Sequence, residues 1–198
     1  MKNLTVLSAG MAAGILLFTS VGVGAPDGPE IGSQAPDLTL TDTDGKTIKL
    51  ADFRATVGDG GETRPGKVLV VVFWSYKCPT GDRYMARMGE LAEWCKQKGA
   101  IFVAVDSYGE TAEQTKAYRE NKKLEYPIYM DEPQEVARAF GARNVTATYV
   151  IDAEGRLSYA GGFDDGSGKD DREQYARDAA RQVLAGEKVA VPMTKAKG

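Results

Sequence analysis

The stretch that decides the fold runs from Val68 to Gly81 and reads VLVVVFWSYKCPTG. Its first seven residues are apolar and rich in valine, which is typical of a strand buried on both faces. A long helical pattern begins at Pro79. We therefore predict a buried strand, a short turn and a helix, with Cys78 where the turn enters the helix.

The position of Cys78 predicts a reactive sulfur. The first turn of a helix leaves backbone N–H groups without intrahelical partners, and these groups and the helix dipole favour a thiolate over a thiol. Pro79 fits the first helical position, where its missing N–H costs nothing. A dithiol oxidoreductase carries its second cysteine three positions after the first, where this chain has Gly81. The sequence therefore predicts a nucleophile, Cys78, without a second cysteine nearby. The alternative is that Cys78 is a vestigial buried thiol.

Composition narrows the chemistry further. The chain has 198 residues, a formal net charge of −3 and 42% hydrophobic residues, which suits one globular domain with tails. It contains no histidine, which excludes Cys–His and Ser–His catalytic pairs and His-ligated metals. Two cysteines are too few for a zinc site, so we expect neither metal nor cofactor. The mild acidity gives no reason to expect a nucleic acid partner.

Residues 1–25 predict export. Lys2 gives a positive start, an apolar stretch follows from Leu4 to Phe18, and small residues lead up to Ala25, as in a signal peptide. The alternative is an uncleaved membrane anchor, because the apolar span approaches bilayer-spanning length. In both cases the folded part is exported. We expect a periplasmic or extracellular protein, tethered to the membrane if the segment is retained.

The rest of the chain divides into three parts. These are an opening segment at residues 26–36, a domain at residues 37–185 and a C-terminal tail at residues 186–198. Alternating polar and apolar residues around Asp44 and Gly45 predict an N-terminal β-hairpin. Residues 54–66 are rich in glycine and proline and are interpreted as an inserted surface loop.

Strands and helices alternate after the insertion. Ile101–Val105 reads as a second buried strand, and Thr111 with Gln114 forms a capping box that opens a helix. A late hairpin turns near Gly155, and a final helix is predicted over Arg172–Leu184. This order predicts an α/β fold with a mixed central sheet flanked by helices.

Several short motifs carry a family resemblance. They are IGSQAPD at residues 31–37, LADF at 50–53, Val72–Trp74 followed by Cys78–Pro79, and Tyr149–Asp152 with Gly155. Together they resemble thioredoxin-fold redoxins of the peroxiredoxin, or alkyl hydroperoxide reductase and thiol-specific antioxidant, superfamily. The likeness covers about residues 31–185 and is closest to exported members with a Cys-Pro turn and no CxxC. It implies a thioredoxin-like fold with an N-terminal hairpin extension.

The resemblance also assigns a site. The implied catalytic residues are Cys78, Ser75, Pro79, Thr80 and Gly81. Ser75 stands where peroxiredoxins carry a hydroxyl that contacts the peroxide, and the N–H groups near Thr80 and Gly81 would polarise the substrate. Weaker assignments are Tyr76, lining the approach to the sulfur; Thr146, where thioredoxins place a cis-proline; and Arg143, three residues early for the peroxide-holding arginine.

The implied function is that of an exported, antioxidant-type thiol oxidoreductase. Cys78 would attack a peroxide or a disulfide through a sulfenic acid or a mixed disulfide. An external thiol or a thioredoxin-like protein would then reduce it. Two alternatives stay open: a monothiol thiol–disulfide oxidoreductase of exported proteins, and a redoxin-fold binding module whose cysteine is inactive.

Cys95 is the only other cysteine. It lies 17 residues after Cys78 in the same predicted helix, which places it about 25 Å away. A disulfide needs Cα atoms within about 7 Å, so the pair cannot form while the helix is intact. Its helical spacing with Tyr84, Met88 and Leu91 predicts a core residue.

Overall fold

The part of the chain that the computed structural model describes comprises residues 28–58, 60–167, 169 and 172–196. The predicted export segment, residues 1–25, lies outside it. The strands are β1 (Thr39–Asp42), β2 (Thr47–Lys49), β3 (Thr56–Val57), β4 (Thr63–Arg64), β5 (Leu69–Trp74), β6 (Ile101–Asp106), β7 (Ile128–Met130), β8 (Ala147–Ile151) and β9 (Leu157–Gly162). The α-helices are α1 (Pro79–Lys98), α2 (Ala112–Asn121), α3 (Glu135–Phe140) and α4 (Tyr175–Leu184).

Seven of these strands form one mixed sheet. Their order is β2-β1-β7-β6-β5-β8-β9, with β5, β6 and β7 parallel and the other pairings antiparallel. The predicted α/β fold with a mixed central sheet is confirmed. The N-terminal hairpin, β1 and β2, extends this sheet at the edge beyond β7.

Strand β5 lies inside the sheet with every residue buried. Val70, Val72 and Trp74 belong to the hydrophobic cluster on the face covered by α1 and α4. The intervening Val71 and Phe73 belong to the opposite cluster, which includes residues of α3. Because successive side chains alternate between two covered faces, the strand is apolar throughout.

Helix α1 begins at Pro79, as predicted from the sequence, and continues to Lys98. Pro79 occupies its first turn, and Gly99 ends it with φ +75°, a left-handed conformation that glycine adopts at little cost. The buried stripe is Tyr84, Met88, Leu91 and Cys95. The capping box on α2 is also confirmed, since both of its hydrogen bonds are present.

Two segments differ from the sequence prediction. Residues 54–66 contain a small antiparallel hairpin, β3 with β4, that is separate from the main sheet. Helix α4 begins at Tyr175, three residues after the predicted Arg172. Arg172 instead extends towards Asp164 and Glu90 before the helix begins. Within the described residues, no helix is long and apolar enough to cross a bilayer.

Candidate active site

Cys78 is the N-cap residue of α1, at the end of the turn that leaves β5. Its backbone is extended, with φ −87° and ψ 124°, and its carbonyl accepts from the N–H of Asp82 at 3.1 Å. The thiol is partly exposed and makes no capping hydrogen bond to the helix. The sulfur is therefore reachable at the start of α1, and an interaction of the Thr80 and Gly81 N–H groups with it or with a substrate stays a prediction.

Gly81 packs directly against the turn. Its carbonyl accepts from Trp74 Nε1 at 3.0 Å. A Cβ built on Gly81 would overlap the Ser75 carbonyl oxygen and would lie 3.3 Å from Trp74 Nε1. This backbone therefore leaves no room for a side chain at position 81. The close packing here agrees with the absence of a second cysteine at this position.

Three aromatic rings flank the turn on the side of α2. Tyr76 stacks on Tyr118 with ring centroids 4.5 Å apart, and Trp74 tilts against both rings. The Tyr118 hydroxyl donates to Asp82 Oδ1 at 2.6 Å, in the first turn of α1. This cluster ties the start of α1 to α2 and places Tyr76 beside the Cys78 turn.

Ser75 lies beneath the turn. It is 1% exposed, its hydroxyl donates to Glu110 Oε1, and its oxygen accepts from the N–H of Lys77 at 3.1 Å. The Ser75 proton is therefore directed to a buried carboxylate. A contact between Ser75 and a substrate stays a prediction.

Glu110 belongs to a buried acidic pair. Its neighbour is Asp106, at the end of β6, which accepts from Thr115 Oγ1 at 3.0 Å and from the N–H of Tyr108 at 3.3 Å. Burial first, and then the Glu110 carboxyl beside it, raises the pKa of Asp106 to about 7. Asp106 consequently gains or loses a proton near neutral pH.

Tyr108 follows β6, two residues after Asp106. Its side chain is 40% exposed. Burial raises the pKa of the Tyr108 hydroxyl to about 12, with further contributions from Cys78, Asp106 and Glu110. The tyrosine therefore remains a neutral hydroxyl at physiological pH.

Asp106→Asn is expected to flatten the pH dependence of stability. An unfolded aspartate titrates near pH 3.9, whereas the pKa of folded Asp106 is raised to about 7. Between these values the folded state holds a proton that the unfolded state has released. The resulting stabilisation is complete below about pH 4 and is lost as the pH rises through about 7.

Between pH 5 and pH 8 the wild type should therefore lose roughly 2 to 3 kcal/mol of unfolding free energy through this group. Urea unfolding at both pH values checks this. An equal loss in the Asn variant would contradict it.

Thr146 lies at the opposite side of the β5 end. Its N–H donates to the Phe73 carbonyl at 2.7 Å, and the residue is 1% exposed. Its φ is +68°, an uncommon conformation for a β-branched residue that costs on the order of 1 to 3 kcal/mol. A trans proline, with φ fixed near −65° and no N–H, cannot replace it in this backbone. The main-chain conformation of Thr146 therefore agrees with the absence of the thioredoxin proline at this position.

Arg143 lies three residues before Thr146, in the segment that leads into β8. It lines a groove with Asn144, Tyr149, Ala160 and Met193, whose lining includes neither Cys78 nor Ser75. The structure therefore brings together Cys78, Ser75, Pro79, Thr80, Gly81 and Tyr76, with Thr146 at the neighbouring strand end. A substrate role for Arg143 stays a prediction.

Cys95 is a core residue, as predicted. It is 0% exposed, and burial raises the pKa of its thiol to about 12. Both cysteines are free thiols. Within the described ranges, no group of three or more histidine, cysteine or acidic residues is arranged to hold a metal ion.

Asp106, Tyr108 and Glu110 are not among the residues predicted from the sequence. A signal was present, because this acidic segment directly follows a buried strand that runs parallel to β5. The carboxyl ends of neighbouring parallel strands lie at one edge of a sheet, where ligand sites of α/β folds occur. That rule places residues 106–110 beside the Cys78 turn.

Comparisons with known proteins agree on a redoxin. A family model described as the AhpC/TSA family matches residues 31–160. The thiol-disulfide oxidoreductase ResA of Bacillus thuringiensis subsp. konkukian (strain 97-27) is 30% identical over 128 residues, covering 65% of this chain and 67% of that protein.

Two solved structures are similar over most of the chain. A hypothetical protein from Sinorhizobium meliloti 1021 has a TM-score of 0.69 and 29% identity, covering 85% of this chain and 90% of its own. An uncharacterized conserved protein from Geobacillus kaustophilus has a TM-score of 0.70 and 27% identity, covering 84% and 87%.

Proposed function

Because this chain belongs to the AhpC/TSA family of redoxins, we propose that Cys78 is the single nucleophile of its thiol-dependent oxidoreductase activity, and that its favoured substrate is a disulfide. The observation that carries the proposal is the position of Cys78: a partly exposed N-cap thiol before a Gly81 that excludes a second one. The similarity to ResA, named a thiol-disulfide oxidoreductase, supports the disulfide.

The chemistry is a monothiol exchange. The Cys78 thiolate attacks one sulfur of a substrate disulfide, the S–S bond breaks, and the second sulfur leaves as a thiolate that takes up a proton. An external thiol then attacks the mixed disulfide and releases Cys78. The external thiol ends in a new disulfide with the substrate, so the reductant must come from outside the chain, for example from a thioredoxin-like protein.

The second candidate substrate is a peroxide. The match to a family that includes alkyl hydroperoxide reductases favours it, as does the predicted hydroxyl contact from Ser75. In that case Cys78 reduces the O–O bond, becomes a sulfenic acid and releases water or an alcohol. The commitment of the Ser75 proton to Glu110 supports the disulfide over the peroxide.

We also propose that the protein is exported. The support for export is the sequence of residues 1–25 alone. An exported compartment would supply disulfides as substrates, because disulfides persist outside the cytosol. An antioxidant role follows only if the peroxide arm of the following experiment succeeds.

The experiment treats the reduced full chain with oxidised glutathione in one arm and with hydrogen peroxide plus a sulfenic acid trap in the other. We expect a mixed disulfide on Cys78 to form more than tenfold faster than on free cysteine at the same pH. Cys95→Ala should behave as the wild type, because that thiol is buried, and Cys78→Ser should form no adduct.

Rapid trapping of a Cys78 sulfenic acid, with no rapid reaction in the glutathione arm, would make a peroxide the favoured substrate. Rates no better than free cysteine in both arms would overturn it and favour the binding module.

A further inference from the structure

Two exposed cations flank the nucleophilic cysteine along the chain. Lys77 directly precedes Cys78, and its side chain is exposed. Arg83, also exposed, lies about one turn into α1, and its Nη2 donates to the Thr80 hydroxyl at 3.2 Å. This hydrogen bond directs the guanidinium back towards the first turn of α1, because Thr80 is two residues after Cys78. A substrate that reaches the sulfur therefore meets positive charge from both sides of the sequence.

The fold does not use these two charges. The ion pairs of the described residues involve neither Lys77 nor Arg83. The acidic residue in the first turn of α1, Asp82, is engaged by the Tyr118 hydroxyl at 2.6 Å and by Lys122 at 3.6 Å. Positive charge near a helix N-terminus is unfavourable, since it faces the positive end of the helix dipole. Ion pairing and helix stability therefore do not explain the two cations.

The next arginine along α1 shows the contrast. Arg87 is bound to the Asp164 carboxylate at 2.7 Å, and its side chain is 20% exposed. Its charge is committed to the packing of α1 against the segment after β9. The charges of Lys77 and Arg83 remain at the surface around Cys78.

The carboxyls joined to the turn are out of a substrate's reach. Ser75 donates to Glu110, which is 0% exposed, and the neighbouring Asp106 is 1% exposed. A substrate that reaches Cys78 contacts neither of these carboxyls. The exposed charge next to the sulfur is therefore that of the two cations.

We propose that Lys77 and Arg83 are substrate-selecting residues, and that the favoured substrate of Cys78 is a disulfide whose sulfurs are flanked by carboxylates. The inference rests on the proposed disulfide exchange and names the class of disulfide. The carboxylates lie against the cations while Cys78 Sγ bonds one sulfur, and the other sulfur leaves as a thiolate that takes up a proton. Opposite charges raise the encounter rate, an effect that salt suppresses, and the same cations repel a cationic disulfide.

The test compares three small disulfides on the reduced full chain at about pH 7 and an ionic strength of about 0.01 M. Oxidised glutathione is anionic, hydroxyethyl disulfide is neutral and cystamine is cationic. Mass spectrometry measures the rate of mixed-disulfide formation on Cys78 with each reagent. Each rate is divided by the rate with the neutral reagent, so that a change in the reactivity of the thiol itself cancels.

The double variant Lys77→Gln, Arg83→Gln should lower the glutathione ratio about three- to tenfold and raise the cystamine ratio by a similar factor. Lys77→Glu should have a larger effect in the same direction than Lys77→Gln, because it reverses the charge. At an ionic strength of about 1 M, all of these differences should shrink to less than about twofold.

Lys98→Gln is the matched control, since Lys98 is exposed at the opposite end of α1, about 30 Å from Cys78. It should keep the wild-type ratios. A peptide disulfide with glutamate on both sides of the cysteine separates two sources of the carboxylates. A larger charge effect than with glutathione supports an acidic protein segment as the substrate, and a smaller one supports a small peptide disulfide.

Ratios in the double variant equal to those of the wild type would overturn the inference, and so would an equal loss of rate with all three reagents. The rate with the neutral disulfide reports the proposed function by itself. The ratios remain measurable when the reactions are slow. A failure of the proposed function is therefore distinguishable from a failure of charge selection.

Discussion

Gly81→Ala is expected to lower the free energy of unfolding by about 2 to 3 kcal/mol, although alanine is the better helix former. The added Cβ overlaps the Ser75 carbonyl oxygen, which belongs to the backbone and cannot rotate away. Relief requires the first turn of α1 to move from the turn that carries Cys78. Urea unfolding at a fixed pH measures the change.

Gly89→Ala in the same helix is the matched control. A Cβ there has Tyr126 Cε1 as its nearest neighbour, at 3.9 Å, which is an ordinary contact. Only the higher helix propensity of alanine over glycine then applies, and this variant should be more stable than the wild type by up to about 1 kcal/mol. If both variants are stabilised to the same extent, the close approach at Gly81 is disproved.

The same contact bears on attempts to restore a dithiol site. Gly81→Cys introduces the same Cβ and should be destabilised at least as much as Gly81→Ala. We therefore expect that one substitution does not convert this chain into a CxxC enzyme.

Asp164→Ala is expected to destabilise the protein by about 3 to 5 kcal/mol. The Asp164 side chain is 1% exposed and accepts from the Tyr84 hydroxyl and from Arg87, each at 2.7 Å. Arg172 adds a third contact at 3.4 Å. Removal of the carboxylate leaves two largely buried guanidinium groups and one buried hydroxyl without this partner, which is more costly than the loss of a surface ion pair.

Asp178→Ala provides the comparison. Asp178 forms an ion pair with Arg181 at 3.9 Å, and both side chains are 57% exposed. Its loss should cost less than about 1 kcal/mol. Thermal or urea unfolding of the two variants measures the difference, and equal effects would refute a special role for the buried network.

Arg87 illustrates how this network bears on the site. It lies two turns into α1, where a free guanidinium would add positive potential near Cys78. In the structure it is bound to Asp164 and lies over the Tyr84 ring at 4.9 Å. Its charge is compensated by the Asp164 carboxylate, in the segment after β9, and is therefore not free to act on Cys78.

The sequence by itself determined the buried strand β5, the start of α1 and the placement of Cys78 as its N-cap. These features depend on local rules: a continuous apolar run, Pro79 at a first turn and helical spacing along one stripe. The core position of Cys95 followed from the same stripe.

Only the tertiary structure decided what surrounds the sulfur. The approach of Gly81 to the Ser75 carbonyl, the left-handed Thr146 against Phe73 and the union of Ser75 with Glu110 join residues that local patterns do not relate. Each depends on how β5, β6 and β8 align at one edge of the sheet. Composition likewise leaves the protonation of Asp106 open, because burial and a neighbouring carboxyl, rather than residue type, set its pKa.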